Sequence, residues 1–213
     1  VNGGASCVVC ATSSHFCSSE RQFRFPLEYG GQRPPTAQWT VTGAGSSVVS
    51  NEGRGTEIKA VQIGTITDLG ITDANNMGAA MAPAAYDTLR TLFSDTGTYP
   101  EDYDGIFTGD LGQVGSRLLC ELFSRDHIDI SPVHDDCGKL LFDSKQDVHA
   151  GGSGCGCAAS VLCAHLLPRL ADGRMKRMIL AATGALMSPT SVQQGESIPA
   201  VCHAVVLESG GKR

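Results

Sequence analysis

The sequence predicts an α/β protein, a mixed sheet covered by helices on both faces. Three observations carry this. Runs with strand character alternate with runs of helical period along the chain. Hydrophobic residues make up 41% against 18% charged, enough apolar material for a sheet buried on both sides. The 26 glycines supply the tight turns that such a sheet needs. No internal repeat or low-complexity tract competes with that reading.

"ASCVVCAT" (5–12) is a short apolar run closed by serines, read as a buried strand. The aromatic, Arg- and Pro-bearing stretch from Ser13 to Ala37 has no period and reads as an ordered loop. "AQWTVTGAGSSVVSNEG" gives a strand, a glycine pause and a second strand, and "IKAVQIGTITDLG" alternates with β-branched residues, as a strand does. The period then changes. Ala85, Leu89, Leu92 and Phe93 follow helical spacing, and Gly97 stops that helix. "DYDGIFTGD" is a short strand ending in a glycine turn, "GSRLLCELFSR" an amphipathic helix, and "KLLFD" a brief strand. "CAASVLCAHLLPRLADG" reads as a helix with Pro168 near its end, "RMILAATGAL" as a buried strand, "SPTSVQQGESIPA" as a polar loop and "VCHAVVLES" as the closing strand.

A formal charge of −6 and the absence of any long basic run leave no electrostatic footprint for nucleic acid. The short cationic stretch "GRMKRM" (173–178) sits where a helix ends and complements its dipole. No apolar stretch approaches the roughly 18 residues that a membrane span requires. Nine cysteines, an odd number, fall mostly within apolar runs (Cys7, Cys10, Cys120, Cys163, Cys202), the pattern of small buried thiols in a reducing compartment. The chain opens on Val1 and enters a strand within a few residues, which reads as a start in mid-domain.

The densest chemistry lies in "DVHAGGSGCGCAASVL" (147–162). Cys155, Cys157 and Cys163 lack the paired spacing of a zinc site. Cys7 and Cys10 spell C-x-x-C, but on a strand their side chains point to opposite faces. A cysteine at a helix start gains acidity, yet it wants a base, and of His15, His127, His134, His149, His165 and His203 only His149 is near in sequence. "GGSGC" falls short of a serine-nucleophile elbow. Two readings of the turn remain. Small residues entering a helix expose amide groups that cradle a carboxylate or phosphate, or the turn is small for packing alone. "HDDCG" (134–138) places Asp135, Asp136 and Cys137 shortly before it.

In order, these segments resemble the later part of a thiolase-like protein. "NMGAAMAPAAYDTLRTLF" resembles the entry to the first helix of the C-terminal half. "DYDGIFTGDLGQVGSRLL" resembles the strand–turn–helix that bears the histidine of condensing enzymes, and "GGSGCGCAASVL" the glycine-rich turn of thiolases. One branch is matched over longer blocks: "ATSSHF", "ERQFRFPLEYGGQRPPTAQWTVTGAG", "TGDLGQVGS", "QDVHAGGSGCGC" and "ATGALMSPTSVQQGESIP" resemble the stage V sporulation protein AD family.

That resemblance implies a layered αβαβα fold, with residues 1–58 finishing an N-terminal thiolase-like half and 59–213 forming the C-terminal half. It implies a role in spore formation, binding of dipicolinate (pyridine-2,6-dicarboxylate) for uptake into the developing spore, and other proteins of a membrane channel complex as partners. A homodimer is expected, peripheral to the cytoplasmic face of the forespore or spore inner membrane. The catalytic positions depart from the enzyme pattern: Ser153 stands at the thiolase histidine, Gly109 and Asp110 at the condensing-enzyme histidine, and Ala182 or Thr183 at the second thiolase cysteine. The primary nucleophile belongs before Val1. The expectation is therefore binding without catalysis and with no cofactor, Asp110 and Asp136 orienting the ligand through a water, a Ca²⁺ that accompanies it, or a protonated carboxyl. The ligand-binding candidates are Asp110, Asp136, Cys137, His149, Gly152, Ser153, Gly154, Cys155 and Gly156. An acyltransferase using Asp110 or His149 as base, and a purely structural subunit of the channel complex, are the alternatives.

Overall fold

A computed structural model describes residues 4–16, 34–53, 55–143 and 145–210. The central part of the loop expected from Ser13 to Ala37 lies outside these residues. The elements are β1 (Cys7–Ser14), β2 (Trp39–Thr40), β3 (Gly43–Ser50), β4 (Glu57–Gln62), α1 (Met77–Thr96), β5 (Gly105–Thr108), α2 (Gly112–Arg125), β6 (His134–Asp136), α3 (Cys137–Leu140), β7 (Gly152–Ser153), α4 (Cys155–Val161), α5 (Leu167–Ala171), β8 (Arg177–Ala185), α6 (Pro189–Gln193) and β9 (Ala200–Glu208).

Five strands form the main sheet in the order β4-β9-β8-β5-β6. β5 runs parallel to both β6 and β8, while β9 is antiparallel to β8 and β4. Strand alternation divides its side chains between two cores. Ile106, Ile179, Ala181, Cys202, Ala204 and Val206 face α1 and α2. Phe107, Met178, Leu180 and Leu207 face the helical stretch 155–171. Both faces are covered, so the middle of β5 (Ile106, Phe107) and the stretch of β8 from Met178 to Ala181 are apolar and buried. β4, whose first two residues precede the 58/59 division drawn from sequence, pairs inside this sheet.

On its other side, α4 packs against the antiparallel pair β1–β3. The described layers are thus sheet, helix, sheet, helix, four of the five in an αβαβα stack. β1 was expected to be buried; it is a strand, but it is exposed along nearly its whole length. One face of the two-strand sheet carries Val9 opposite Val48, both about two-thirds exposed.

Two further expectations are corrected. "KLLFD" is not a strand: Lys139 and Leu140 close the short helix α3, and the sheet edge is formed by His134–Asp136 instead. The helix after the glycine turn is not regular. Pro168 has no N–H, and the preceding turn widens over Leu162–Leu166 so that the Leu167 amide reaches the Leu162 carbonyl.

α1 and α2 cross at Gly78 and Gly115. A Cβ on Gly115 would lie 2.7 Å from the Gly78 Cα and 2.9 Å from its carbonyl oxygen. Backbone cannot yield as a side-chain tip does, so Gly115→Ala must part the helices. The expected cost is about 2 kcal/mol, read as a lower urea midpoint with an unchanged slope.

Candidate functional site

A cavity of about 330 Å³ opens where α4 meets β1–β3 on one side and β5–β8 on the other. Its polar lining is Cys10, Thr12, Ser47, Asp110, Cys155, Cys163 and Thr183; alanines and leucines of α4, β8 and the widened turn complete the wall. Among the described residues no lysine, arginine or histidine lines it.

Asp110 is the one acidic group in the wall and is only 7% exposed. It sits in the turn between β5 and α2, and each oxygen has a donor. The Thr183 hydroxyl donates to Oδ1 at 2.7 Å. The Gly154 amide donates to Oδ2 at 2.8 Å, and the Ser153 hydroxyl adds a longer bond at 3.4 Å. The Asp110 amide in turn donates to the Thr183 oxygen at 3.1 Å. Gln38 crosses beneath, its Nε2 donating to the carbonyls of Asp110 (2.7 Å) and Gly152 (2.9 Å). This side chain staples the two turns that meet at the cavity.

The amides of Gly154 and Gly156 in the glycine-rich turn are engaged within the protein itself. Gly152 and Ser153 form β7, paired with Trp39 and Thr40. Gly154 has φ 101, a conformation that side-chain-bearing residues rarely adopt. Its amide cradles a carboxylate, but that carboxylate is Asp110. The Gly156 amide is also engaged, donating to the Ser14 hydroxyl at 3.0 Å, and Ser14 donates to the Val41 carbonyl at 2.6 Å. A Cβ on Gly156 would fall 2.4 Å from the Gly43 carbonyl oxygen, so this residue is small for packing. Of the turn, Gly154 and Cys155 line the cavity, and Gly152, Ser153 and Gly156 do not. The resemblance placed Ser153 at the thiolase histidine; the side chain presented to the cavity from this turn is that of Cys155. Its thiol donates to the Ser13 carbonyl at 3.0 Å.

Asp136, Cys137 and His149 are not brought to the cavity wall. Asp136 is fully buried and accepts four hydrogen bonds. Thr108 Oγ1 (2.6 Å) and the Leu111 amide (2.8 Å) reach Oδ2, while the amides of Gly112 and Gly138 (both 2.9 Å) reach Oδ1. Burial pushes this carboxyl up to about 6, and the neighbouring Asp110 adds to the rise; the Thr108 hydroxyl and the amides of Gly112 and Leu111 pull the other way. Cys137 and Cys157 are buried, and desolvation raises both thiols well above their ordinary range, which leaves them unreactive. The His149 ring nitrogens lie 2.9 Å from the Pro34 carbonyl oxygen and 3.1 Å from Asp147 Oδ1, fastening one loop rather than facing the cavity.

Sequence reasoning missed Thr12 and Ser47, and it weighed Cys10 and Cys163 only as redox and metal candidates, not as walls of a binding cavity. A signal existed: Cys10, Thr12 and Ser14 recur at every second residue of β1 and share the face toward α4. Among the described residues no cluster of three or more His, Cys, Asp or Glu is arranged to hold a metal ion, and no helix is long and apolar enough to cross a membrane.

Comparison with known proteins agrees with this architecture. The fold is similar to AbyA1, a tetronic acid condensing enzyme, at TM-score 0.55 and 14% identity, covering 97% of this chain and 61% of that one. It is similar to 3-oxoacyl-[acyl-carrier-protein] synthase III from Aquifex aeolicus VF5 at TM-score 0.52 and 12% identity, covering 97% and 59%. At such identities the likeness is one of fold, and that fold is thiolase-like. A curated relative, "Stage V sporulation protein AD" of Bacillus subtilis (strain 168), is 48% identical over 212 residues, 99% of this chain. The chain spans 63% of that relative's length. The profile of the family described as Stage V sporulation protein AD (SpoVAD) matches residues 1–208. With a thiolase-like fold and a match across nearly its whole length, the chain belongs to the stage V sporulation protein AD family of sporulation proteins.

Proposed function

We propose that the cavity beside Asp110 binds dipicolinate without catalysing a reaction on it, and that the protein serves the uptake of this ligand into the developing spore. The observation that carries the reading is the cavity's lining: none of its thiols is paired with a base. Cys155 and Cys163 donate to the backbone carbonyls of Ser13 and Ser46, and no imidazole lines the wall among the described residues. Claisen-type chemistry needs a thiolate, a base and an oxyanion hole held together. A volume of about 330 Å³ lies in the range of small-molecule sites, and a flat ring with two carboxylates is small enough for it.

Electrostatics refines the ligand's form. A free dianion facing Asp110, with no cationic side chain among the described residues of the wall, is repelled. The ligand therefore enters with Ca²⁺ as cargo: the chelate cancels the dianion's charge, and Asp110 offers the cation an oxygen. Among the described residues no cage of metal ligands is arranged, which fits a cation that arrives with its chelator. Family membership supports the wider setting, a homodimer peripheral to the spore inner membrane that works with other proteins of a channel complex.

The test is calorimetric titration of dipicolinate, with and without equimolar Ca²⁺, into the purified protein. The chelate is expected to bind and the free dianion to bind more weakly. Asp110→Asn should weaken the chelate by about tenfold or more, the worth of one charge-assisted contact. Absence of heat from both forms would overturn the reading, and turnover of an acyl thioester would replace it with the acyltransferase.

A further inference from the structure

We infer that Asp136 is the positioning residue of this cavity, holding Asp110 in place from outside the wall. The inference rests on the cavity being a binding site; its geometry does not depend on which ligand binds. Asp110 lies between Thr108, the last residue of β5, and Leu111 and Gly112, which open α2. The first amides of a helix have no partner within it, and α2 has no side-chain cap of its own. Asp136 supplies that cap from a different strand. It takes the Leu111 amide on one oxygen and the Gly112 amide on the other, and the Thr108 hydroxyl on the near side of the turn. The backbone on both sides of Asp110 is thus tied to one buried carboxylate. The Gly138 amide fixes that carboxylate in turn to the start of α3.

Folding alone does not ask for this arrangement. A serine or asparagine within the helix caps one or two amides at lower cost, whereas two carboxylates buried on either side of one turn oppose each other. Charged groups held so expensively gather at sites of function. Asp136 does not line the cavity, so its effect reaches a ligand only through Asp110. The carboxylate cannot be replaced by its amide. All four partners donate; Thr108 can turn its hydroxyl, but a backbone amide cannot, and the –NH₂ of an asparagine would face donors.

The experiment is hydrogen exchange at the Gly154 amide, which reports directly on Asp110 because it donates to Oδ2. In Asp136→Asn this amide is expected to exchange about tenfold faster, the loss of roughly one charge-assisted bond, while the amide of buried Val206 on β9 keeps its protection. In the same protein, calcium–dipicolinate binding should weaken about tenfold, and the double variant Asp110→Asn/Asp136→Asn should bind no more weakly than Asp110→Asn alone. Unchanged exchange at Gly154, equal acceleration at Gly154 and Val206, or additive losses in the double variant would each overturn the inference. Should Asp136→Asn not fold, Thr108→Val removes one of the four donors and is expected to give the same pattern at about threefold. If the unaltered protein shows no binding heat, the functional reading fails, and Gly154 exchange still decides the positioning role.

Discussion

Phe123→Ala is expected to cost about 3–5 kcal/mol, the largest loss for any single side chain truncated in this protein. Phe123 is wholly buried on the inner face of α2. Its ring meets the edge of Tyr86 at 5.0 Å between centroids and that of Phe93 at 6.0 Å, both on α1. Below them lie Ile106 and Ile179 of the central sheet, so truncation opens a void at the junction of two helices and a sheet. The glycine crossing at Gly78 and Gly115 already holds these helices at close approach, and the aromatic cluster has no slack with which to collapse. Thermal unfolding should show a midpoint lower by roughly 6–20 °C. A shift below roughly 2 °C would mean that the aromatic junction does not bear on global stability.

The second large effect is a loss of stability in mild acid, centred on His134. Its ring lies between β5 and α2. Nδ1–H donates to the Ile106 carbonyl at 3.1 Å, which fixes the tautomer and leaves Nε2 to accept from the Ser116 hydroxyl at 2.9 Å. Burial lowers this imidazole to about 4; the Ile106 carbonyl works against the shift, nearby Lys139 adds to it and Asp135 opposes it. The folded value lies below the unfolded one. Its contribution is therefore complete above about pH 6.5 and is lost as pH falls from there through about 4. The full loss is about 3 kcal/mol. Asp136 runs the other way: its raised carboxyl favours the folded state as it takes up a proton below about pH 6. The comparison that isolates the imidazole is urea unfolding of the protein and of His134→Gln between pH 7.5 and 4.5. The stability gap between them should narrow as pH falls. A gap constant across that range would remove His134 from the acid response.

How much of this was legible in the sequence follows from where each residue's partners lie. β5, β8 and β9 announce themselves through runs of mostly apolar residues, broken in β9 only by the exposed His203 before its last residue. α1 and α2 announce themselves through their period and, for α1, the Gly97 stop. β6 does not. Its three residues, His-Asp-Asp, read as a polar loop, yet two of the side chains are answered by groups distant in sequence, Ser116 for His134 and the two ends of the β5–α2 turn for Asp136, while Asp135 pairs with nearby Lys139. The same limit governs the site. The Gly154–Cys155 turn was found from local chemistry, small residues before a helix, and Asp110 from the resemblance that sets it at the condensing-enzyme histidine. That the turn's amide serves Asp110 could not be read, because 44 residues separate them. His149 was chosen for its nearness along the chain, and the fold turns it toward Pro34 instead.

The exposed two-stranded sheet β1–β3 has a mechanical consequence. Among the described residues the cavity is held between a hard jaw and a soft one: β5 and β8 are clamped between two cores, whereas β1 and β3 rest on a single helical layer, and paired strands so thinly supported are marginal alone. Opening should begin on the side of this two-stranded sheet, which makes the wall bearing Cys10, Thr12 and Ser47 the door, and the wall bearing Asp110 and Thr183 the frame on which it hangs.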